Sequence, residues 1–150
     1  MIDLRAALTE FATWHTNAAN RVCHDIGIPT VTLAVLGMLA KLQFGPELLG
    51  IGRLDVALVL LAGTFVFDLF LEWRLAPFVA LIGLACWGIG RELSLPWLGV
   101  VFVIGWAFQL LGHRLAEGNA PAFRTNAVHL VVGPRWLVNR WLRILPEGQG

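Results

Sequence analysis

The sequence has few charged side chains, at 14% of its 150 residues, and many apolar ones, at 57%. A soluble domain of this size usually has about a quarter of its residues charged. The high mean hydropathy of +0.72 agrees with this shortage. The composition therefore indicates a membrane protein. The alternative, a very apolar soluble helical bundle, would need polar outer faces that the apolar runs lack.

Cysteine is also scarce, which narrows the kinds of site that the chain can hold. Cys23 precedes the first apolar run and Cys86 lies within the third, so we expect no disulfide between them in a reducing compartment. Cys86 is expected to be a small buried residue, and Cys23 is left out of the predicted site although it neighbours His24. Few acidic oxygens and no thiolate pairs argue against magnesium, calcium and iron–sulfur centres. The sequence has no stripe of basic residues of the kind that would indicate a nucleic-acid partner.

Four apolar runs predict membrane-spanning helices, each slightly shorter than the ~20 residues that cross a hydrocarbon core. Backbone groups in lipid must be satisfied internally, so helices are favoured over open strands. We therefore predict an all-α fold: one domain over residues 1–150, forming an integral membrane four-helix bundle with amphipathic interfacial helices at both ends. The predicted spans are residues 29–44, 54–71, 75–90 and 97–112.

The segments that flank the spans are predicted to be amphipathic. Residues 3–19 have apolar side chains near the helical period, with Asp3 as the N-cap. The asparagine-rich stretch after them is interpreted as a break that ends at Pro29, in the first turn of span one. After span four we predict a turn over 117–123, then a helix from about 124 that Pro134 kinks. The segment RWLVNRWLRIL over 135–145 is typical of a helix anchored on anionic headgroups.

Basic residues predict the orientation of the spans. Eight of them lie on the side that holds both termini and three on the other, so the positive-inside rule places both termini in the cytoplasm. No signal peptide is visible in MIDLRAALTEF, and we expect a bacterial inner-membrane protein. The eight are Arg5, Arg21, Arg74, Arg114, Arg124, Arg135, Arg140 and Arg143, and the three are Lys41, Arg53 and Arg91.

The four histidines of the chain all fall on the predicted cytoplasmic side. In span four, Gln109, His113 and Glu117 are spaced four apart and are expected on one helix face, where Gly105 and Gly112 would admit a neighbouring helix. Imidazoles suit iron, zinc and copper, so a metal site is predicted. Structural histidines that hydrogen-bond at the interface are the alternative. Asp68 and Glu72 are either functional or reach the interface with Arg74 as their partner.

Two motifs then resemble a known family. WHTNAANRVCHDIGIP is similar to a His-x-Asn-x-x-Asn-x-x-x-His pattern followed by proline, and GWAFQLLGHRLAEGNAPAF to a Trp-x-x-Gln-x-x-Gly-His pattern with a later Glu and Pro-Ala turn. A third segment, NAVHLVVGPRWL, is similar to the closing Gly-Pro segment. All three resemble the Mpo1-like family of small membrane proteins, which includes a fungal 2-hydroxy fatty acid dioxygenase. Spans two and three match only in hydrophobicity.

The resemblance implies an Fe(II)-dependent dioxygenase that takes a long-chain 2-hydroxy fatty acid and O2 and releases CO2 and the acid one carbon shorter. The substrate's hydroxyl and carboxylate would bind the metal together, with the chain in the bilayer. His129 departs from the family's pattern, and Thr16 stands where members often have histidine. The resemblance implies His15, His24 and His113 as metal ligands and Asn17, Asn20, Gln109 and Glu117 as catalytic residues. His129 is predicted as a fourth metal ligand outside the family's pattern, and Arg21 or Arg114 is predicted to bind the substrate carboxylate.

Two other functions remain as alternatives from the sequence. A haem or quinone electron carrier would place histidines opposite each other across the bundle, whereas here they lie at span ends and beyond them. A non-catalytic scaffold or small permease would use the same polar residues structurally. The sequence predicts neither an oligomeric state nor a preferred chain length.

Overall fold

The computed structural model describes residues 3–48, 52–118 and 128–145. Within these ranges the chain is mostly helical, as predicted, with one small hairpin. The elements in chain order are α1 (Leu4–Thr13), α2 (Ala18–Leu39), β1 (Gln43–Leu48), β2 (Gly52–Asp55), α3 (Val56–Glu72), α4 (Ala76–Gly90), α5 (Leu95–Leu111), a π-helical segment (Gly112–Glu117) and α6 (Val128–Leu142).

The first two helices begin at side-chain caps. The Asp3 carboxylate accepts hydrogen bonds from the amides of residues 5 and 6, as predicted for an N-cap. The first helix ends at Thr13 rather than at residue 19, and the Asn17 side chain caps α2 by accepting from Ala19 N at 2.8 Å. The chain therefore breaks over residues 14–17 and is helical again from Ala18, eleven residues before Pro29.

The prediction that Pro29 lies in the first turn of its helix is wrong, because α2 begins at Ala18 and runs through this proline. Proline inside a helix removes one hydrogen bond and crowds the preceding turn, at a cost of about 3 kcal/mol. Close packing of Gly27 against α5, two residues before the proline, stabilises the helix here. Tertiary packing outweighs the local preference of proline for a first turn.

An antiparallel hairpin replaces the predicted loop between spans one and two. It pairs Phe44 with Leu54 and contains a β-bulge between Phe44 and Glu47. Gly45 and Gly52 have φ of 76° and 89°, which glycine adopts without the penalty of a β-carbon. The hairpin shortens the first predicted span to residue 39, and the Asp55 carboxylate then caps α3 by accepting from Leu58 N at 2.9 Å.

Glycines allow α2 to pack closely against its neighbours. A β-carbon at Gly105 would lie 2.9 Å from Val31 N, and one at Gly37 would lie 2.7 Å from the Gly90 carbonyl. Gly27 opposes residues 105 and 109, whereas Gly37 opposes Leu98, so α2 and α5 run antiparallel. The predicted close approach at Gly105 and Gly112 is confirmed.

The C-terminal helix α6 packs against the rest of the protein through one buried and one partly buried ion pair. Arg135 donates from Nε to Asp68 Oδ1 at 2.6 Å, with both side chains buried. Arg140 binds both carboxylate oxygens of Asp25, at 2.5 and 3.0 Å. The interpretation of this helix as an anchor alone is therefore wrong: its arginines tie it to α2 and α3, whatever its exposed face contacts.

The partner predicted for Asp68 and Glu72 is also wrong. Asp68 pairs with Arg135, and Glu72 accepts from Arg5 at 3.3 Å. Arg74 instead lies over the Trp73 ring, 5.8 Å from its centroid. Removing Asp68 or Arg135 alone would leave a buried charge without its partner, which is the costly way to break such a pair.

Within the described residues, two helical stretches are long and apolar enough to cross a membrane: Ala18–Leu39, and Leu95–Leu115, which joins α5 to part of the π-helical segment. Ala76–Gly90 is a shorter apolar helix. The outer faces of α3, α4 and α5 expose large apolar side chains such as Phe70, Leu81 and Val103. Exposed apolar surface of this extent marks a membrane or protein contact. Cys23 and Cys86 form no disulfide, as expected.

Candidate metal centre

Three histidines from different parts of the chain meet at one end of the helices. His15 follows α1, His24 lies in the second turn of α2, and His113 lies in the π-helical segment after α5; all three are buried. One ligand nitrogen from each lies within 4.8 Å of the others. Two ligands of one ion at the usual ~2.1 Å are at most about 4.2 Å apart, so the rings would close in slightly around a metal.

Hydrogen bonds to the backbone orient two of these rings. His15 Nδ1 donates to the Phe11 carbonyl at 2.6 Å, and His24 Nδ1 donates to the Asn20 carbonyl at 3.0 Å. A carbonyl can only accept, so each ring carries its hydrogen on Nδ1, and Nε2 is the nitrogen that would bind a metal. This is how ligand histidines are usually fixed in orientation and tautomer. The donor set therefore fits a metal that imidazole favours, such as iron, zinc or copper.

Aromatic rings from α1 and α6 pack against this group. Phe11 stacks on His15 with ring centroids 4.2 Å apart, and Trp136 lies 5.1 Å from the same ring. Both residues belong to the main apolar core. The hydrophobic contact around the group lowers the local dielectric and limits the access of water to a bound ion.

A cavity of about 80 Å³ adjoins the three histidines. At one end lie the imidazoles, and further along α2 the walls become apolar, with Ile28, Val31 and Trp106. Helix α6 closes one side through His129 and Leu130, and Leu130 is about half exposed. The cavity therefore joins a metal-competent group of imidazoles to walls that are largely apolar.

His129 enters this cavity but lies outside the three-histidine group. Its ring is buried, and Nε2 is 3.4 Å from Glu10 Oε1, which is within ion-pair distance but lacks hydrogen-bond geometry. The structure thus brings His15, His24 and His113 together as predicted and places the fourth histidine beside them.

The four residues implied to be catalytic have different positions. Gln109 lines the cavity. Asn20 is fully buried behind the histidines, where its Nδ2 donates to the Trp14 carbonyl at 3.3 Å. Asn17 is exposed and caps α2. The Glu117 side chain lies outside the described part of the structure, as do residues 119–123 of the predicted turn.

The assumption of a regular α-helix beyond residue 111 is wrong. The segment that carries His113 is π-helical, so the α-helical spacing of four does not hold within it. Gln109 and His113 nevertheless line the same cavity, as their spacing predicted. Short π-helical segments occur often at functional sites. The widened turn accompanies the close contact of Gly112 with Asn20 and Cys23 of α2.

Neither arginine implied for the substrate carboxylate lines the cavity. Arg21 donates from one guanidinium nitrogen to the carbonyls of His15 and Thr16, at 3.2 and 2.6 Å. These bonds hold the turn between α1 and α2, and thereby the backbone of His15. Arg114 is exposed on the π-helical segment. Its implied contact with substrate and that of Arg21 remain predictions.

Sequence reasoning did not assign Phe11, Glu10 or Trp136 to the site, although Trp136 lies in the third segment that resembles the family. Phe11 lies four residues before His15, so the helical period of the N-terminal segment could have predicted the contact between these two side chains. Trp136 and Glu10 could not be paired with the site from the sequence, because their contacts depend on how α6 docks. The Trp–Arg composition of α6 also suits a membrane interface, which concealed its buried role.

The fold and cavity define a small helical protein with a buried three-histidine site able to hold a transition metal. The family described as "2-hydroxy-palmitic acid dioxygenase Mpo1-like" matches residues 1–144, and the chain belongs to this Mpo1-like family. A relative from Saccharomyces cerevisiae, named 2-hydroxy-palmitic acid dioxygenase MPO1, is 30% identical over 146 residues, which cover 95% of this chain and 81% of the relative. No solved structure matches the chain.

Proposed function

We propose that this protein is an Fe(II)-dependent dioxygenase that converts a long-chain 2-hydroxy fatty acid and O2 to CO2 and the fatty acid one carbon shorter. The observation that carries this proposal is the buried group of three imidazoles whose cavity continues between apolar walls. A 2-hydroxy fatty acid has the matching shape, with two adjacent oxygen donors at one end and an alkyl chain at the other. The printed name of the yeast relative supports the same chemistry.

The charge of the site favours an anionic substrate. The three imidazoles are neutral ligands, and among the described residues that line the cavity none is acidic. A divalent ion held there would keep its positive charge in a poorly solvated site, where charge interactions are strong. A carboxylate with a neighbouring hydroxyl would offset that charge. Iron, when bound, would supply a Lewis-acidic centre and the redox chemistry that O2 requires.

The proposed reaction balances without a second organic reductant. The substrate R–CH(OH)–COOH and O2 give R–COOH, CO2 and H2O. The hydroxyl carbon loses three electrons and the carboxyl carbon one, which together are the four electrons that O2 accepts. A separate 2-oxo acid is therefore not needed.

The residues of the chain would bind and position the substrate. Gln109 reaches the cavity from α5 and can donate an amide N–H to the carboxylate. Arg21 holds the backbone at His15 through two carbonyls, so it acts on the site through the ligand's position. Phe11 and Trp136 exclude water from the same side. Asn20 supplies the carbonyl that orients His24.

The haem-carrier alternative receives little support from this geometry. The ring centroids of the three histidines are 4.3 to 4.8 Å apart, so the rings converge on one point instead of facing each other across a macrocycle. A cavity of about 80 Å³ is also far too small for a porphyrin. The scaffold alternative predicts a protein that binds no metal.

The reaction itself is testable with purified, iron-loaded protein in lipid. We expect 2-hydroxypalmitate to consume one O2 for each CO2 released and to yield pentadecanoic acid, because the substrate provides all four electrons. Oxygen electrode readings and mass spectrometry of the product measure both quantities. A requirement for added 2-oxo acid, or a product that keeps all sixteen carbons, would contradict the proposed reaction.

The proposed setting is a membrane that α2, α3, α4 and α5 cross as a four-helix bundle, in a bacterial inner membrane, with the histidines at the cytoplasmic end. Supporting this, Arg5, Arg135 and Arg140 lie with α1 and α6 at the histidine end, where they pair with Glu72, Asp68 and Asp25. Lys41 and Arg91 lie at the hairpin end, where Lys41 Nζ donates to the Arg91 carbonyl at 2.7 Å.

Terminal fusions test this orientation. Reporters that are active only in the cytoplasm should be active when fused to either end, because basic residues stay on the cytoplasmic side. A fusion at the β1–β2 turn should instead report the opposite side. Inactive cytoplasmic reporters at both ends, together with active terminal fusions of a reporter that works only outside the inner membrane, would overturn the orientation and separate the histidines from the cytoplasmic surface.

A further inference from the structure

We propose that His129 is a substrate-binding residue that recognises the 2-hydroxyl group, and that Glu10 positions it. This inference rests on the proposed function and extends it to a histidine that departs from the family's pattern. It assigns His129 a role apart from the metal ligands His15, His24 and His113.

The first step is the burial of the His129 ring. The residue is 3% exposed, and both ring nitrogens are buried without a hydrogen-bond partner in the described structure. A buried polar atom without a partner costs about 1–3 kcal/mol, so such atoms usually bind something. Because His129 lines the cavity beside the three-histidine group, a ligand in that cavity is the natural partner.

The second step is the position of the ring relative to the metal ligands. Among the described residues, the ligand atoms that converge within 4.8 Å come from residues 15, 24 and 113. Phe11 separates the two sets: it stacks on His15 and meets the edge of His129, with centroids 5.7 Å apart in the second contact. His129 is therefore held beside a bound metal's ligands and faces the space that the substrate would fill.

The third step is the orientation that Glu10 imposes. Its Oε1 lies 3.4 Å from His129 Nε2. An ionised carboxylate can only accept, so its field favours the neutral tautomer with hydrogen on Nε2. Nδ1 is then an acceptor, and an acceptor suits a hydroxyl hydrogen but not a carboxylate. The pair would therefore distinguish a 2-hydroxy acid from an acid that lacks the hydroxyl.

The test compares His129→Phe with the wild type, since phenylalanine keeps a ring of similar shape without nitrogen. Both proteins are loaded with iron and kept free of O2, and the affinities for 2-hydroxypalmitate and palmitate are measured in lipid nanodiscs. We expect unchanged iron content, a weakening of about tenfold for 2-hydroxypalmitate, as for one lost hydrogen bond, and no change for palmitate. Both ligands have the same chain length, so membrane partitioning cancels.

Two further variants complete the test. Val131→Ala changes an exposed residue of α6 outside the cavity and should leave both affinities unchanged. Glu10→Ala should weaken 2-hydroxypalmitate only, by less than His129→Phe, and Glu10→Gln, which keeps an accepting oxygen, should restore part of the loss. This pattern distinguishes a positioning role from a general loss of stability.

Three results would overturn the inference. Loss of iron from His129→Phe would make His129 a metal ligand. An equal loss of affinity for both acids would indicate a general packing defect, and retention of the wild-type preference would remove the hydroxyl contact. If the wild type itself binds no iron or shows no preference for the hydroxy acid, the proposed function fails instead, so the two failures are distinguishable.

Discussion

Replacing His113 with alanine is expected to abolish metal binding while the helical fold remains. His113 is one of three converging ligands, and loss of a residue that merely supports a ligand already lowers metal affinity about 10- to 100-fold. Loss of the ligand itself should exceed that. The side chain lies at the end of α5, away from the contacts of Gly105 and Leu98 along the helix, so the helix pairing should persist. Iron titration by mass spectrometry, with circular dichroism for the fold, measures both.

A matched variant separates ligand loss from general destabilisation. Leu98 is completely buried in the same helix, at the end remote from the histidines, and Leu98→Ala should cost about 2–5 kcal/mol of stability. It should nevertheless bind iron under conditions where both variants are folded. Full iron occupancy in His113→Ala, or equal loss in Leu98→Ala, would sink the three-histidine assignment.

Substrate choice is expected to depend strongly on both the chain and the hydroxyl group. Burying each CH2 contributes about 0.8 kcal/mol, so the twelve that separate 2-hydroxypalmitate from 2-hydroxybutyrate correspond to roughly 10 kcal/mol of membrane partitioning. We expect rapid O2 consumption with the former and almost none with the latter. Palmitate should partition normally yet react little, because it lacks the second oxygen donor.

Rates with these three acids, measured at equal bulk concentration, separate the effect of chain length from the effect of the hydroxyl group. Equal rates with palmitate and 2-hydroxypalmitate would refute a role for the hydroxyl. Equal rates with the short and long hydroxy acids would refute recruitment through the bilayer. Heat-treated protein and His113→Ala serve as blanks for uncatalysed oxidation.

The hydrophobicity of the sequence was sufficient to predict α4 and α5. Each is an uninterrupted apolar run, and a helix satisfies the backbone hydrogen bonds of such a run within the segment itself. The sequence pattern failed at α2, where the usual first-turn position of Pro29 suggested a start that packing against α5 overrides. The sequence pattern also failed to predict the hairpin. Its strands are short and contain glycines 45 and 52 in left-handed conformations, so they show no alternation of polar and apolar residues. The predicted helix boundaries were weakest where tertiary contacts decide.

The site divides in a similar way. The motifs around His15, His24 and His113 were sufficient to predict that these residues meet. A break between the first two was expected, but it lies at residues 14–17 and not in the stretch that ends at Pro29. The contribution of α6 was not predictable. Its ion pairs join residues 67 and 115 positions apart, and nothing in the local sequence identifies Asp68 or Asp25 as the partner.

The small size of the cavity has a kinetic consequence. About 80 Å³ has room for several water-sized groups, which is enough for the two-carbon head of a 2-hydroxy acid but not for its long chain. If the proposed function is correct, the remaining methylenes would stay among the lipids, and the protein would encounter its substrate in two dimensions. Its rate would then follow the mole fraction of hydroxy acid in the bilayer: inert lipid added at constant total substrate would slow the reaction by surface dilution.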